Sequence, residues 1–155
     1  MPALHRYART LVANRQDADD LVQDCLVRAL GKIPAESAVS VRPWLFTILH
    51  NLSVNRWRRI RRWGHLVEAT ETDAAVPSTQ EWRVISHDLV RGFEQLSAEH
   101  RQVLMLVSVE GLEYREAAEI LDVPIGTVMS RLSRARDALR AQMNGTGRPT
   151  LRRVK

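Results

Sequence analysis

Apolar residues recur along the chain at spacings of three and four, and proline and glycine are sparse through its body, so the pattern predicts helices throughout and requires no strand. A short helix is expected from Leu4 to Val12. After Asn14 a second runs from about Asp17 to Lys32, with Leu21, Val22, Cys25, Leu26, Ala29, Leu30 and Ile33 on one buried stripe. Pro34 ends it. The loop PAESAVSV then leads to Pro43, placed in the first turn of a long helix where its missing N–H costs nothing. In that helix Trp44, Leu45, Ile48, Leu49 and Leu52 form the apolar stripe.

From Gly64 to about Gln80 the chain holds Glu, Thr, Ala, Asp, Ser and Pro77 without a clean helical period, which reads as a linker. Beyond it, Trp82 to Leu96 has a helical pattern, Ser97 is a good N-cap for a helix from Ala98 to Glu110, and Gly111 is placed to end that helix. Two shorter helices follow, and NGTGRPTLRRVK reads as a mobile basic tail. The expected organisation is all-α, with two small helical domains over 1–63 and 81–143, a flexible linker over 64–80 and a tail over 144–155.

Composition narrows the functional class more than the fold. Lysine and arginine total 23 against 18 acids, a formal net charge of +5, which draws the molecule toward polyanions. Lys32 and Lys155 are its lysines, so the basic charge is nearly all arginine, the side chain that forks onto phosphates and stacks on bases. Cys25 alone makes no internal disulfide, and no stretch has the layout of a signal peptide or approaches the roughly 20 apolar residues that span a bilayer. Cytoplasmic placement without membrane insertion is expected. The histidines are too dispersed for a metal site, Cys25 falls in an apolar stripe, and the residues suggest no catalytic group, metal or cofactor.

LEYREAAEILDVPIGTVMSRLSRARDALR reads as helix, tight turn, helix. Ala117, Ala118 and Leu121 make a small apolar inner face, Asp122 to Ile125 make the turn, and Thr127 is expected to N-cap a second helix with Val128, Leu132, Ala135 and Leu139 on one side. Two helices that cross steeply must come close, which small alanines permit. The other side carries Ser130, Arg131, Ser133, Arg134 and Arg136, a mixture of hydroxyls and arginines that suits a major groove. An arginine-rich solvated face is the plainer alternative.

In the long helix the polar face consists of Thr47, Asn51, Asn55, Arg58, Arg59 and Arg62. Asparagine and threonine are poor choices inside a helix, so asparagines repeated on one exposed face suggest base contacts, with the arginines on phosphates. A solvated face remains the alternative; a helix lying flat on a membrane fits less well, because the apolar and basic ends are separated lengthwise. In RQDADDLVQD, Asp17, Asp20 and Asp24 recur at helical spacing with Asp19 beside them. Acids in a first turn stabilise the helix dipole, but Asp24 is beyond that range, so the choice lies between dipole stabilisation and a protein-docking face.

These pieces, in their order, resemble the extracytoplasmic function group of bacterial sigma factors. The resemblance is carried by YARTLVANRQDADDLVQD with LVRAL, by RPWLFTILHNLSVNRWRR, and by LSAEHRQVLMLVSVEGLEYREAAEILDVPIGTVMSRLSRARDALR. It implies a protein without catalytic activity of its own that binds core RNA polymerase and carries it to promoters, region four contacting the −35 element and region two melting and capturing the −10 element. By the same resemblance, Asp17, Asp20, Gln23 and Asp24 dock on the coiled coil of the polymerase β′ subunit. Asn51 lies near a pocket for a flipped-out base, and the loop from Ala35 to Val41 is the specificity loop beside it. Thr127, Ser130, Arg131, Ser133, Arg134 and Arg136 fall in the −35 reader, with Met129 where relatives often carry arginine.

The first helix of region two lies almost at the start of the sequence and no further domain follows region four, so the resemblance also implies control by a separate anti-sigma protein. Two other readings stay open at this level: a free-standing helix-turn-helix regulator and a helical adaptor that binds no nucleic acid.

Overall fold

The computed structural model describes residues 2–32, 40–63 and 87–146. Helix α1 spans Pro2–Leu11, α2 Arg15–Leu30 and α3 Val41–Trp63; α4 spans His87–Glu94, α5 Ala98–Leu104, α6 Tyr114–Leu121 and α7 Ile125–Thr146. Among the described residues no strand occurs. The expected linker and most of the loop from Ala35 to Val41 lie outside the described residues, as does the end of the tail.

Asn14 sets the start of α2: its side-chain oxygen accepts the Asp17 N–H at 2.8 Å, so the helix begins at Arg15, earlier than the apolar spacing implied. Leu21, Val22, Cys25 and Ala29 are buried as expected, whereas Leu30 is 74% exposed. At 100° per residue Leu30 lies about 120° around the helix from the centre of that stripe, so one face cannot bury all of them. Ile33, the last residue of the expected stripe, lies outside the described residues.

Along α3 the buried face is Phe46, Leu49, His50, Leu52 and Ser53. Trp44, expected in the stripe, is only half-buried, and Phe46 fills the core in its place, its ring edge to face with that of Tyr7 at a centroid distance of 5.5 Å. The helix is 23 residues long, about 34 Å. Its last turns run past the packed body, which is why Ile60 is 61% exposed even though it shares the azimuth of Leu49 and Ser53.

In the second half Ser97 caps α5 as expected. The helix does not continue regularly to Glu110, because Met105–Val109 forms a π turn in which the Glu110 N–H donates to the Met105 carbonyl at 2.9 Å. Gly111, at φ +69°, then turns the chain, a conformation that glycine adopts at no steric cost. Helix α6 ends at Asp122 in the left-handed conformation (φ 52°), with the Val123 N–H returning to the Ala118 carbonyl at 3.1 Å. Thr127 is not an N-cap: α7 begins two residues earlier, and the Pro124 carbonyl accepts the N–H groups of Thr127 and Val128. Ala117, Val128, Leu132 and Ala135 are buried between α6 and α7 and hold the crossing close.

The two halves pack on each other. Helix α1 lies against α5 and the π turn, α3 lies against α6, and one cluster of buried apolar side chains runs from Leu4 to Ala135.

Candidate nucleic-acid and docking interfaces

Three surfaces carry the expected site residues. On α7 the exposed crest holds Gly126, Met129, Ser130, Ser133, Arg134 and Arg136, opposite the buried Val128, Leu132 and Ala135. A Cβ added at Gly126 would meet nothing within 4 Å, so the start of this helix is open to a close approach. The arginines are not equivalent. Arg134 has solvent around it, while Arg131 is only 22% exposed in its side chain and pairs with Glu99 of α5 at 3.0 Å. Arg136 reaches back to the Ser108 hydroxyl at 3.4 Å, and the Ser130 hydroxyl donates to the Thr127 carbonyl at 3.1 Å. Thr127 itself is half-buried. The polar set on this crest that stands free of the body is thus narrower than the sequence pattern, with Ser133 and Arg134 at its centre.

On α3, Asn51, Asn55, Arg58, Arg59 and Arg62 are all exposed. Thr47 shares their face but is half-buried, and its hydroxyl donates to the Pro43 carbonyl at 3.0 Å, one turn back. The Trp57 side chain is exposed, and the Arg61 guanidinium stacks over its ring at 4.6 Å from the centroid. Arg56 turns the other way and pairs with Asp17 of α2.

That pairing divides the acidic set on α2. Asp17 serves the fold, because one carboxylate receives the Arg56 guanidinium, the Asn14 amide and the first-turn dipole. Asp20, Gln23 and Asp24 are exposed. Between them and the end of the helix stand Val27, 65% exposed, and Leu30. At 100° per residue Asp20, Gln23, Asp24, Val27 and Leu30 fall within one sector of about 120°, so the exposed face of α2 is acidic and apolar together. The sequence pattern missed this, since Leu30 had been expected in the core.

Beneath these surfaces the titratable groups of the core are structural. The Tyr7 hydroxyl lies 3.0 Å from His50 Nδ1, burial raises the Tyr7 phenol well above its ordinary value and lowers the His50 imidazole, and the pair is therefore neutral. Burial pushes the Cys25 thiol up to about 11, and its Sγ–H donates to the Leu45 carbonyl at 3.4 Å, which suits a packed thiol and not a nucleophile. No group of three or more His, Cys, Asp or Glu among the described residues is arranged to hold a metal ion. No described helix is long and apolar enough to cross a membrane.

With this geometry, the chain matches two family models: sigma-70 region 2 over residues 1–63 and sigma-70 region 4 over residues 86–139. It is 35% identical over 148 residues to the ECF RNA polymerase sigma factor EcfG of Rhodopseudomonas palustris, covering 91% of this chain and 79% of that protein. It is 34% identical to a probable RNA polymerase sigma-C factor of Mycobacterium bovis, covering 80% and 69%. Among solved structures it is similar to the sigma factor RpoE of Bartonella quintana, which was solved in complex with the anti-sigma factor NepR; the TM-score is 0.79 at 33% identity, covering 95% of this chain and 92% of that one. CnrH, solved with the cytosolic domain of CnrY, superimposes with a TM-score of 0.62 at 26% identity, covering 93% and 82%.

Proposed function

The chain belongs to the extracytoplasmic function group of RNA polymerase sigma factors, and from that premise we propose how its surfaces divide the work. As a sigma factor it binds core RNA polymerase and directs initiation at promoters with −35 and −10 elements, and an anti-sigma factor is among its partners. We assign it no reaction of its own and place it in the cytoplasm, where core polymerase and promoter DNA are found.

The observation that carries this reading is the presence of both family regions in one chain, in order, over surfaces of different chemistry. On α2, the sector of Asp20, Gln23, Asp24, Val27 and Leu30 docks on the coiled coil of the β′ subunit, joining charge complementarity to apolar contact. Asp17 supports that face from beneath through Arg56. On α3, Asn51 and Asn55 meet unstacked bases of the −10 element, while Arg58, Arg59 and Arg62 hold the strand's phosphates, with Thr47 at the start of the same face. On α7, Ser130, Ser133 and Arg134 enter the major groove at the −35 element, flanked by Thr127, Arg131 and Arg136.

Transcription reconstituted from core polymerase, a promoter library and this protein tests the reading. Initiation at defined start sites that share upstream and downstream elements is expected. A chain that binds duplex DNA yet gives no promoter-dependent initiation would be a free-standing regulator, and one without salt-dependent DNA binding would be an adaptor.

A further inference from the structure

Glu110 ends the π turn of the second half with a side chain only 1% exposed, and the cations that reach it come from the first half. Arg6 of α1 donates from Nε to one carboxylate oxygen at 2.8 Å and from Nη2 to the other at 3.2 Å, a two-pronged grip. Arg42, in the first turn of α3, adds a third bond to the Oε2 atom at 3.0 Å. A carboxylate withdrawn from water is tolerated only when it is paired and hydrogen-bonded, so burial of Glu110 between the packed halves depends on Arg6 and Arg42. The π turn matters here, since its Glu110 N–H closes onto Met105 and ends the segment facing α1.

The packed arrangement does not fit two-element recognition. A compact chain of 155 residues has a radius of gyration of about 15 Å and hence a diameter near 40 Å. The −35 and −10 elements are centred about 25 base pairs apart, roughly 85 Å along the duplex at 3.4 Å per pair. With its halves held together the molecule cannot place α7 on one element and α3 on the other. The 23 residues between Trp63 and His87 reach about 80 Å when fully extended, enough for the halves to separate.

We propose that Glu110, Arg6 and Arg42 form an ionic latch that closes the free protein on itself, so that the chain must open at this contact before polymerase and promoter can be engaged. The proposal rests on the sigma-factor reading for its consequence and on geometry alone for the closure. In the closed state the latch competes with core polymerase for the separated halves; in the open state Glu110 is solvated and the arginines are released. Hydrophobic packing of α3 on α6 and α1 on α5 is shared by every variant below, so the ionic contact is what they vary.

The test uses the full-length protein, with small-angle scattering of the free chain and stopped-flow association with core polymerase. Glu110→Gln is expected to raise the radius of gyration from about 15 Å to above about 20 Å, as two linked bodies require, and to speed association severalfold. The Arg6→Ala/Arg42→Ala pair should do the same and decides the matter if Glu110→Gln loses helix content. Exchanging the charges, Glu110→Arg with Arg6→Glu and Arg42→Glu, should restore both the small radius and the slow association, which loss of a merely structural contact would not. An unchanged radius in both latch-breaking variants overturns the closure, and a larger radius with unchanged association overturns its inhibitory role. If no variant associates with core polymerase, the sigma-factor reading fails instead, while the scattering still reports on the latch.

Discussion

The phenol of Tyr7 and Nδ1 of His50 lie 3.0 Å apart in the core of the first half, between α1 and α3. Both groups are neutral, and a single hydrogen bond joins the phenol to the ring nitrogen. Burial lowers the imidazole below its usual value of about 6.5. The unfolded chain therefore binds this proton first as the pH falls, and the stability that the neutral pair contributes is complete above about pH 6.5 and lost on going down through the lowered folded value.

Acidification should therefore destabilise the first half, by up to about 1.4 kcal/mol for each pH unit between those two values. Thermal melts at pH 7.5 and 5.5 check it. His50→Gln keeps an acceptor for Tyr7 and removes the titration, so its melting temperature should change less between the two buffers than that of the wild type. An equal change would assign the acid sensitivity to other groups.

The α7 arginines should separate in a DNA-binding assay. Arg134→Ala is expected to cost about tenfold or more on a −35 duplex, the value of one good base or phosphate contact. Arg131→Ala should cost less, because Arg131 is already paired with Glu99. Equal losses would mean that the Glu99 pair opens on DNA.

Met129 is 48% exposed on the same helix, one turn beyond Ile125, which is 45% exposed. In a major groove the apolar feature offered to such side chains is the thymine methyl. Replacing thymines of the −35 duplex by deoxyuridine one at a time should weaken wild-type binding severalfold at one or two positions, and Met129→Ala should abolish that sensitivity.

On α2, Asp20→Arg with Asp24→Arg should reduce capture of core polymerase while leaving the unfolding free energy within about 1 kcal/mol of wild type, as surface changes do. Asp17→Ala should behave in the opposite manner, lowering stability through the lost Arg56 pair and the lost bond from the Asn14 amide. Val27→Ser with Leu30→Ser should weaken capture as much as the charge reversal. Undiminished capture in both double variants would remove the docking role from this face.

Asn51→Ala is expected to reduce binding of single-stranded −10 DNA and to spare the −35 duplex. Each of Arg58→Ala and Arg62→Ala should lower the salt slope on the single strand by about 0.7, one phosphate contact apiece. An unchanged slope would mark these arginines as solvated charges.

Local chemistry made much of this legible in the sequence. The 3.6-residue period and the scarcity of proline and glycine determined an all-helical chain; Ser97 determined the start of α5 and Gly111 the turn that follows Glu110; the alanines before Asp122 determined the helix-turn-helix. The ordered motifs were specific enough to indicate the family before any fold was seen. What depends on residues far apart was not legible. Leu30 shares the spacing of the core stripe and yet faces out, because burial depends on where a neighbouring element lies and not on period alone. Asp17 and Asp20 look alike in sequence, but α3 delivers Arg56 to only one of them. The grip of Arg6 on Glu110 joins residues 104 positions apart, across a segment whose composition suggested two separate bodies. Only the tertiary fold decides such contacts, because pairing a distant charge requires closing the intervening chain, and no local propensity reports whether that closure is repaid.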